Sequence, residues 1–434
     1  MRLSKCVFFL KHEEKILAYN NMNFKILEID KATYQKMKGE KFEESLEKKE
    51  LEYLVDNRFL VQDNYDEIKA REKIKKNIQA KSDRDGNVAV SYIRISLTEN
   101  CNLRCKYCFV NKIVNEKKNI PEDRFTEAIN YLIANNDQPR VQYFGGEPLL
   151  RMDMIRLGHE MLDKALYHGK IKAFFEEIIT NGTLLDDEKI DFFVSNKMGL
   201  TFSLDGWQEI NDKNRIDEKG NGTFDIVIKS ILNFKSRGGD AGIILTPNKQ
   251  NIDNLDRIVE FFVNDYDIRN ISINAPQPND EGWNIEGKIL AKKIINIFHF
   301  CEKNNVNLSA PGMNLIHNLL TKKYQVFSCS NYGGVLNKRW GIYLFSNGEM
   351  SYCLVEKTPE STEMFDQFEV GKRINDWHMQ CNGDKKCNAC IAYSVCGGMC
   401  SMENSLISNF SLAQNKCIFN REILKWGLTR EWTE

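Results

Sequence analysis

The stretch that most constrains this chain is Thr98-Glu-Asn-Cys-Asn-Leu-Arg-Cys-Lys-Tyr-Cys-Phe109, which sets Cys101, Cys105 and Cys108 at Cys-x3-Cys-x2-Cys. Three thiolates on one short loop can hold three irons of a cubane [4Fe–4S] cluster and leave the fourth iron open. An electron-transfer cluster normally takes a fourth thiolate. A structural zinc site also closes with four ligands. No histidine or fourth cysteine lies near the run. It follows a β-type segment, Ser91–Leu97, so the loop is expected at the C-terminal end of a strand, where α/β folds collect their chemistry.

The 434 residues are enough for two or three domains. Formal net charge is −1, so bulk electrostatics draws the chain to neither nucleic acid nor an anionic membrane. The apolar run at the N-terminus is too short for a signal peptide, and no stretch reaches the length of a membrane span. A cytoplasmic protein is expected. Its thirteen cysteines are then better explained by metal than by disulfides. They cluster, with three at 101–108 and eight between Cys329 and Cys417; Cys6 and Cys301 stand apart as small buried hydrophobes.

Residues 1–85 read as a separate unit. Short strands are expected at 7–10, 15–19 and 24–29, followed by a helix at 31–38 capped by Asp30. A helix near 43–56, a strand at 59–62 and a charged linker helix to about 85 complete it. Residues 86–310 alternate strands (91–97, 140–144, 174–180, 200–204, 241–245 and 271–274) with amphipathic helices. Six βα units predict a parallel sheet forming an open, partial (βα)6 TIM-like barrel in an α/β fold. Residues 311–434 form the third unit.

The cysteine run, with Tyr107 as its aromatic, resembles the signature of the radical S-adenosylmethionine (SAM) enzymes. Other motifs at the predicted strand ends agree. Gly145-Gly-Glu-Pro148 resembles the family's Gly-Gly-Glu-Pro turn, implying that Gly145, Gly146 and Glu147 hold the amino group of SAM. Thr180-Asn-Gly182 would face the ribose, with Thr180 and Asn181 as contacts. Ser203-Leu-Asp-Gly206, Asn211-Asp212, Arg215 and Gly220-x-Gly-Thr-Phe224 resemble a further series, with Ser203, Asp205 and Arg215 at the cofactor and Asn211 in place of the usual histidine. Arginine suits a planar carboxylate.

The C-terminal spacing Gly348-x4-Cys353, then Cys387-x2-Cys390-x5-Cys396-x3-Cys400 and Cys417, resembles the SPASM domain, which carries two auxiliary [4Fe–4S] clusters. The resemblance implies a distal cluster on Cys387, Cys390, Cys396 and Cys417. It implies a nearer cluster on Cys329, Cys353 and Cys400, completed by Cys381, by another residue, or left open. A four-cysteine zinc site is the alternative for the inner set.

Residues 1–85 resemble the winged-helix-like element with which ribosomal-peptide maturases capture a leader peptide as an added strand; a decoration covering the barrel is the alternative. Together these resemblances imply a radical SAM/SPASM peptide maturase of the crosslinking group (sactipeptide, ranthipeptide or cyclophane type). Its cofactors would be SAM and three [4Fe–4S] clusters, and its partners a precursor peptide and a reductant such as flavodoxin or ferredoxin. Reductive cleavage of SAM would yield a 5′-deoxyadenosyl radical that removes a hydrogen atom from the peptide before a thioether, carbon–carbon or carbon–oxygen bond closes. Formylglycine formation, as in anaerobic sulfatase maturases, and epimerisation are the alternatives. Such maturases typically place an aspartate where this chain has Leu354.

Overall fold

A computed structural model describes residues 1–39, 46–84, 90–108, 118–276, 282, 284–325, 340–351, 385–398 and 410–431. The N-terminal unit begins with β1 (Arg2–Leu3) and an antiparallel meander of β2 (Val7–His12), β3 (Lys15–Asn20) and β4 (Lys25–Ile29). Helices α1 (Lys31–Lys38) and α2 (Lys48–Asp56) follow. The Asp30 side chain accepts from Thr33 N and caps α1, satisfying one of the helix's unpaired donors. Strand β5 (Leu60–Val61) pairs with β1 rather than with the meander. Helix α3 (Glu67–Arg84) then leads to the barrel.

The barrel strands are β6 (Val90–Thr98), β7 (Arg140–Gly145), β8 (Phe175–Thr180), β9 (Gly199–Ser203), β10 (Ala241–Leu245) and β11 (Asn270–Ile273). They are mutually parallel in sequence order, as six βα units require. Between and after them run α4 (Glu122–Asn135), α5 (Met152–Tyr167), α6 (Asp187–Ser195), α7 (Gln208–Asn214), α8 (Phe224–Ser236), α9 (Leu255–Tyr266) and α10 (Gly287–Lys303).

The sheet is larger than the six predicted strands. Strand β12 (Asn307–Ser309) adds parallel to β11, and β13 (Trp340–Leu344) adds parallel to β6 with β14 (Met350–Ser351) antiparallel outside it. Two strands from the 311–434 segment thus belong to the barrel sheet, nine-stranded among the described residues. After these come α11 (Met313–Leu320), the short α12 (Lys385–Asn388) and α13 (Tyr393–Cys396), and the long α14 (Phe410–Thr429).

Alternation along the strands decides the two faces of the sheet. Ile93, Ile95, Val141, Tyr143, Ile178, Leu200, Phe202 and Ile243 are buried against the helices. The other face is polar. Arg94 Nη1 donates to Tyr343 Oη at 2.6 Å, Gln142 Nε2 to Glu177 Oε2 at 2.6 Å and Thr201 Oγ1 to Glu177 Oε1 at 3.0 Å. A partial barrel with a polar concave face has room for ligand rather than a packed interior. Helix α14 ties the parts together: Phe419 and Ile423 join the barrel core, whereas Leu424 and Leu428 join a second core with Tyr19, Phe24, Ile391 and Tyr393. None of the described helices is long and apolar enough to cross a membrane.

Candidate active site

The cysteine loop leaves the end of β6 and is anchored to the end of β7. Gly146 N donates to Thr98 O at 2.7 Å, and Glu147 N to Asn100 O at 2.8 Å. Two glycines make this approach possible. Gly145 has φ +134°, and a Cβ on it would lie 2.4 Å from Thr98 O; at Gly146 a Cβ would lie 2.0 Å from Asn100 O. The pair therefore admits the cysteine loop itself.

Behind it, the Glu147 carboxylate is 1% exposed. It accepts from Leu149 N at 3.0 Å, Thr180 Oγ1 at 2.6 Å and Asn181 N at 2.8 Å. Burial pushes its carboxyl up to about 7, opposed by those three donors. Glu147 thus joins the ends of β7 and β8. Asn181 continues the connection, with Nδ2 donating to Asn102 Oδ1 at 3.0 Å and lying 3.7 Å from Cys101 Sγ.

The opposite side of the loop is held by the segment after α7. Arg104 N donates to Ile216 O at 2.7 Å and Lys106 N to Asn214 O at 3.0 Å. Asp205 is wholly buried. It accepts from Tyr107 Oη at 2.6 Å and from Arg215 Nη2 at 3.2 Å. The Arg215 guanidinium also lies 5.6 Å from the Tyr107 ring centroid. Burial works to lower the Arg215 pKa, but the Asp205 charge outweighs it and the group stays protonated. Burial raises the phenol of Tyr107 well above its ordinary value, with Arg215 opposing and Asp205 adding to it. Arg215 Nε is buried with no partner among the described residues, a donor left over beside the cysteines.

Asn211 fills the place where the resembling motif has histidine. Its Oδ1 accepts from Asp205 N at 3.2 Å and its Nδ2 donates to Asp212 Oδ1 at 3.0 Å. Asp212 Oδ1 in turn accepts from Thr223 N at 2.9 Å and Phe224 N at 3.0 Å, capping α8. A Cβ on Gly222 would lie 2.1 Å from the Asp212 carboxylate, which explains glycine there. The short α7 is unforeseen by the sequence reading, because Ile210 is its one buried apolar residue.

The structure therefore brings together Cys101, Cys105, Cys108, Tyr107, Gly145, Gly146, Glu147, Thr180, Asn181, Asp205 and Arg215. Ser203 ends β9, opposite Ile244 in the register. Asn100, Asn102 and Asn251 are additional members. Asn251 Nδ2 donates to Asp205 O at 3.2 Å, and no motif points to it.

The donor set fits an iron–sulfur cluster. Leu103 N points at Cys101 Sγ from 3.4 Å, and hydrogen bonds onto sulfur favour the thiolate. Burial pushes the Cys101 thiol up to about 11, with smaller contributions from Cys105 and Cys108 nearby; a bound cation would invert that preference. Among the described residues no three Cys, His, Asp or Glu side chains converge tightly enough for one metal ion. A cubane asks for wider spacing, since each thiolate binds a different iron.

In the C-terminal segment, Cys387, Cys390, Cys396 and Cys417 come into one region. Burial raises the Cys417 thiol to about 11, and the charges of Cys396, Cys387 and Cys390 add to the rise. Asn420 Nδ2 donates to Cys396 Sγ at 3.2 Å. Cys329, Cys353, Cys381 and Cys400, with Leu354, lie outside the described residues.

Residues 95–262 match the model of the Radical SAM superfamily. That part of the chain is a radical SAM domain. A cysteine-type anaerobic sulfatase-maturating enzyme of Clostridium novyi (strain NT) is 31% identical over 175 residues, covering 38% of this chain and 46% of that protein. The radical SAM cyclopropyl synthase TigE of Paramaledivibacter caminithermalis is 22% identical over 291 residues, covering 61% of this chain and 58% of that protein. Both matches span about half of the relative's length.

Among solved structures, native anSMEcpe with bound AdoMet and Cp18Cys peptide superposes with a TM-score of 0.62 at 19% identity, over 78% of this chain and 97% of that one. Streptococcus suis SuiB bound to its precursor peptide SuiA superposes with a TM-score of 0.53 at 17% identity, over 92% of this chain and 95% of that one. These likenesses establish the fold.

Proposed function

We propose that the chain is a radical SAM enzyme that removes a hydrogen atom from a ribosomally made precursor peptide and closes an intramolecular crosslink. The observation that carries this reading is the cysteine loop clamped between Gly146–Glu147 and the Asp205–Arg215 pair at the C-terminal ends of the barrel strands. In this reading Cys101, Cys105 and Cys108 hold a [4Fe–4S] cluster, which with SAM supplies one-electron cleavage of the sulfonium. The remaining work belongs to the protein. Arg215 would offer its Nε, which has no partner among the described residues, to the SAM carboxylate, Asn181 and Thr180 would line the ribose, and the concave sheet face would hold the peptide away from water.

The meander β2–β3–β4 supports leader capture, since β4 pairs only with β3 among the described strands and leaves a strand edge open. Superposition on the peptide-bound SuiB extends over 92% of the chain, against 78% for anSMEcpe, which agrees with a front unit used for a leader. In this reading the C-terminal cysteines would hold auxiliary clusters, which would supply a one-electron acceptor for the second electron. A flavodoxin or ferredoxin of the cytoplasm supplies the first. The similarity to sulfatase-maturating enzymes favours formylglycine formation as the second reading.

Anaerobic co-expression with a candidate precursor peptide, followed by tandem mass spectrometry, separates these. A peptide lighter by two hydrogens, with fragmentation blocked between two side chains, is the expected result. An unchanged mass with deuterium taken up from heavy water would mark an epimerase and refute crosslinking. An untouched peptide, with formylglycine made in a sulfatase-type peptide, would establish the second reading.

A further inference from the structure

The N-terminal unit meets the cysteine-bearing segment 385–398 through buried polar groups. Arg71 on α3 is 3% exposed. Its Nη1 donates to Asn388 O at 2.6 Å and its Nη2 to Asn21 Oδ1 at 2.7 Å. Asn21, wholly buried, donates from Nδ2 to Cys390 O at 2.8 Å and to Ile391 O at 3.3 Å. The guanidinium lies 4.9 Å from the Tyr393 ring centroid, with Lys75 Nζ 4.8 Å from the same ring. Every contact that Arg71, Asn21 and Lys75 make here with the C-terminal segment falls between Cys387 and Cys396.

Among the described residues the charge balance at this junction is incomplete. A buried guanidinium normally requires an anion. The described partners of Arg71 are a carbonyl, an amide, an aromatic ring and the Cys6 thiol, which burial keeps protonated, with no carboxylate among them, and its Nε has no hydrogen-bond partner among the described residues. The nearby glutamate, Glu67, is engaged by Arg2 at 2.7 Å. The missing negative charge matches a cluster on four thiolates, which carries net negative charge in either redox state.

We infer that Arg71, oriented through Asn21, is the counter-charge and positioning residue of an iron–sulfur cluster held by Cys387, Cys390, Cys396 and Cys417. The N-terminal unit is then part of that cluster's surroundings as well as a peptide-capturing element. The inference rests on the reading that these four cysteines bind a cluster. Its consequence is specific: a fixed cation beside the cluster stabilises the added electron and raises the reduction potential. The bonds to Asn388 O and Cys390 O hold the ligand loop, so their loss speeds release of iron.

The test uses the full chain with Cys101, Cys105 and Cys108 changed to Ala, so that only auxiliary iron is observed. Arg71→Met, Arg71→Lys and Asn21→Ala are compared with this parent by potentiometric titration followed by electron paramagnetic resonance, and by iron release to bipyridyl. Arg71→Met is expected to lower the midpoint potential and to lose iron about tenfold faster. Arg71→Lys, which keeps the charge, is expected to hold the parent's potential while losing iron faster than the parent; it also serves should the Met variant not fold. Potentials and release rates equal to the parent's in both Arg71 variants would overturn the inference with the cluster reading intact. A parent whose auxiliary iron is unchanged by Cys387→Ala and Cys390→Ala would overturn the cluster reading, and the inference with it.

Discussion

The ion pair behind the cysteine loop lends itself to a double-mutant cycle. Asp205 is wholly buried and serves two donors, Tyr107 Oη at 2.6 Å and Arg215 Nη2 at 3.2 Å. Asp205→Asn keeps the shape but places an amide nitrogen or a neutral oxygen where the guanidinium needs an anion. Breaking a buried pair from one side costs about 3–5 kcal/mol, because the surviving charge has no partner. Arg215→Met strands the carboxylate and costs about the same. The double variant removes both charges, and its chief loss is the hydrogen bond between Tyr107 and a charged acceptor, about 1.5–3 kcal/mol.

The two single costs therefore exceed the double cost by at least about 3 kcal/mol, a coupling at the top of the range for directly contacting residues. Anaerobic urea unfolding of the cluster-free protein, followed by tryptophan fluorescence, measures it, and Trp207 lies at the start of α7 close to the site. Additive costs, agreeing within about 0.5 kcal/mol, would refute the pairing on which the site's description depends.

Other expectations concern the site and the barrel that carries it. The Glu147 carboxyl rises from 4.5 to about 7, so the folded protein keeps a proton that the unfolded chain releases. The associated stability is present below pH 4.5 and is lost as pH rises through 7, about 3 kcal/mol in all. Glu147→Gln should lose that part of the pH dependence, and parallel stability–pH curves would count against the burial. Gly146→Ala would bring a Cβ within 2.0 Å of Asn100 O and part the cysteine loop from β7. Loss of the two anchoring bonds costs about 1–3 kcal/mol and should lower iron incorporation at Cys101, Cys105 and Cys108, read from absorbance after reconstitution. His159 Nδ1 lies 2.6 Å from Glu176 Oε2, and that hydrogen bond raises its pKa despite opposing burial. Its contribution is present below the ordinary histidine value and lost as pH rises through the higher folded one, and proton NMR titration of His159→Gln against the parent reads it.

Much of the fold was legible because period-two apolar residues such as Ile93, Ile95 and Leu97 mark strands buried on one side. Asp30 and Asp186 mark helix starts by capping, each accepting from the backbone three residues on. Strands β12, β13 and β14 were not legible. They run to between two and five residues, they fall after the sixth βα unit where the strand–helix alternation no longer guides the reading, and their pairing is set by neighbours distant in sequence.

The site residues lay in motifs at strand ends, yet their partners did not follow from spacing. The sequence reading directed Glu147 to the cofactor's amino group; what spacing did not show is that its carboxylate accepts from Leu149 N, Thr180 Oγ1 and Asn181 N. Buried donors compete for a carboxylate in ways only the folded backbone determines. Asn211, by contrast, accounts for its departure from histidine once its bonds to Asp205 N and Asp212 are visible.

The central claim is that Cys101, Cys105 and Cys108 support radical chemistry on SAM. The direct measurement is formation of 5′-deoxyadenosine by the reconstituted, dithionite-reduced protein, set beside the variant with all three cysteines changed to Ala. The account predicts 5′-deoxyadenosine from the parent and none above background from the variant, while iron bound at the C-terminal cysteines persists. Equal formation by both, or none from a fully reconstituted parent, would contradict it.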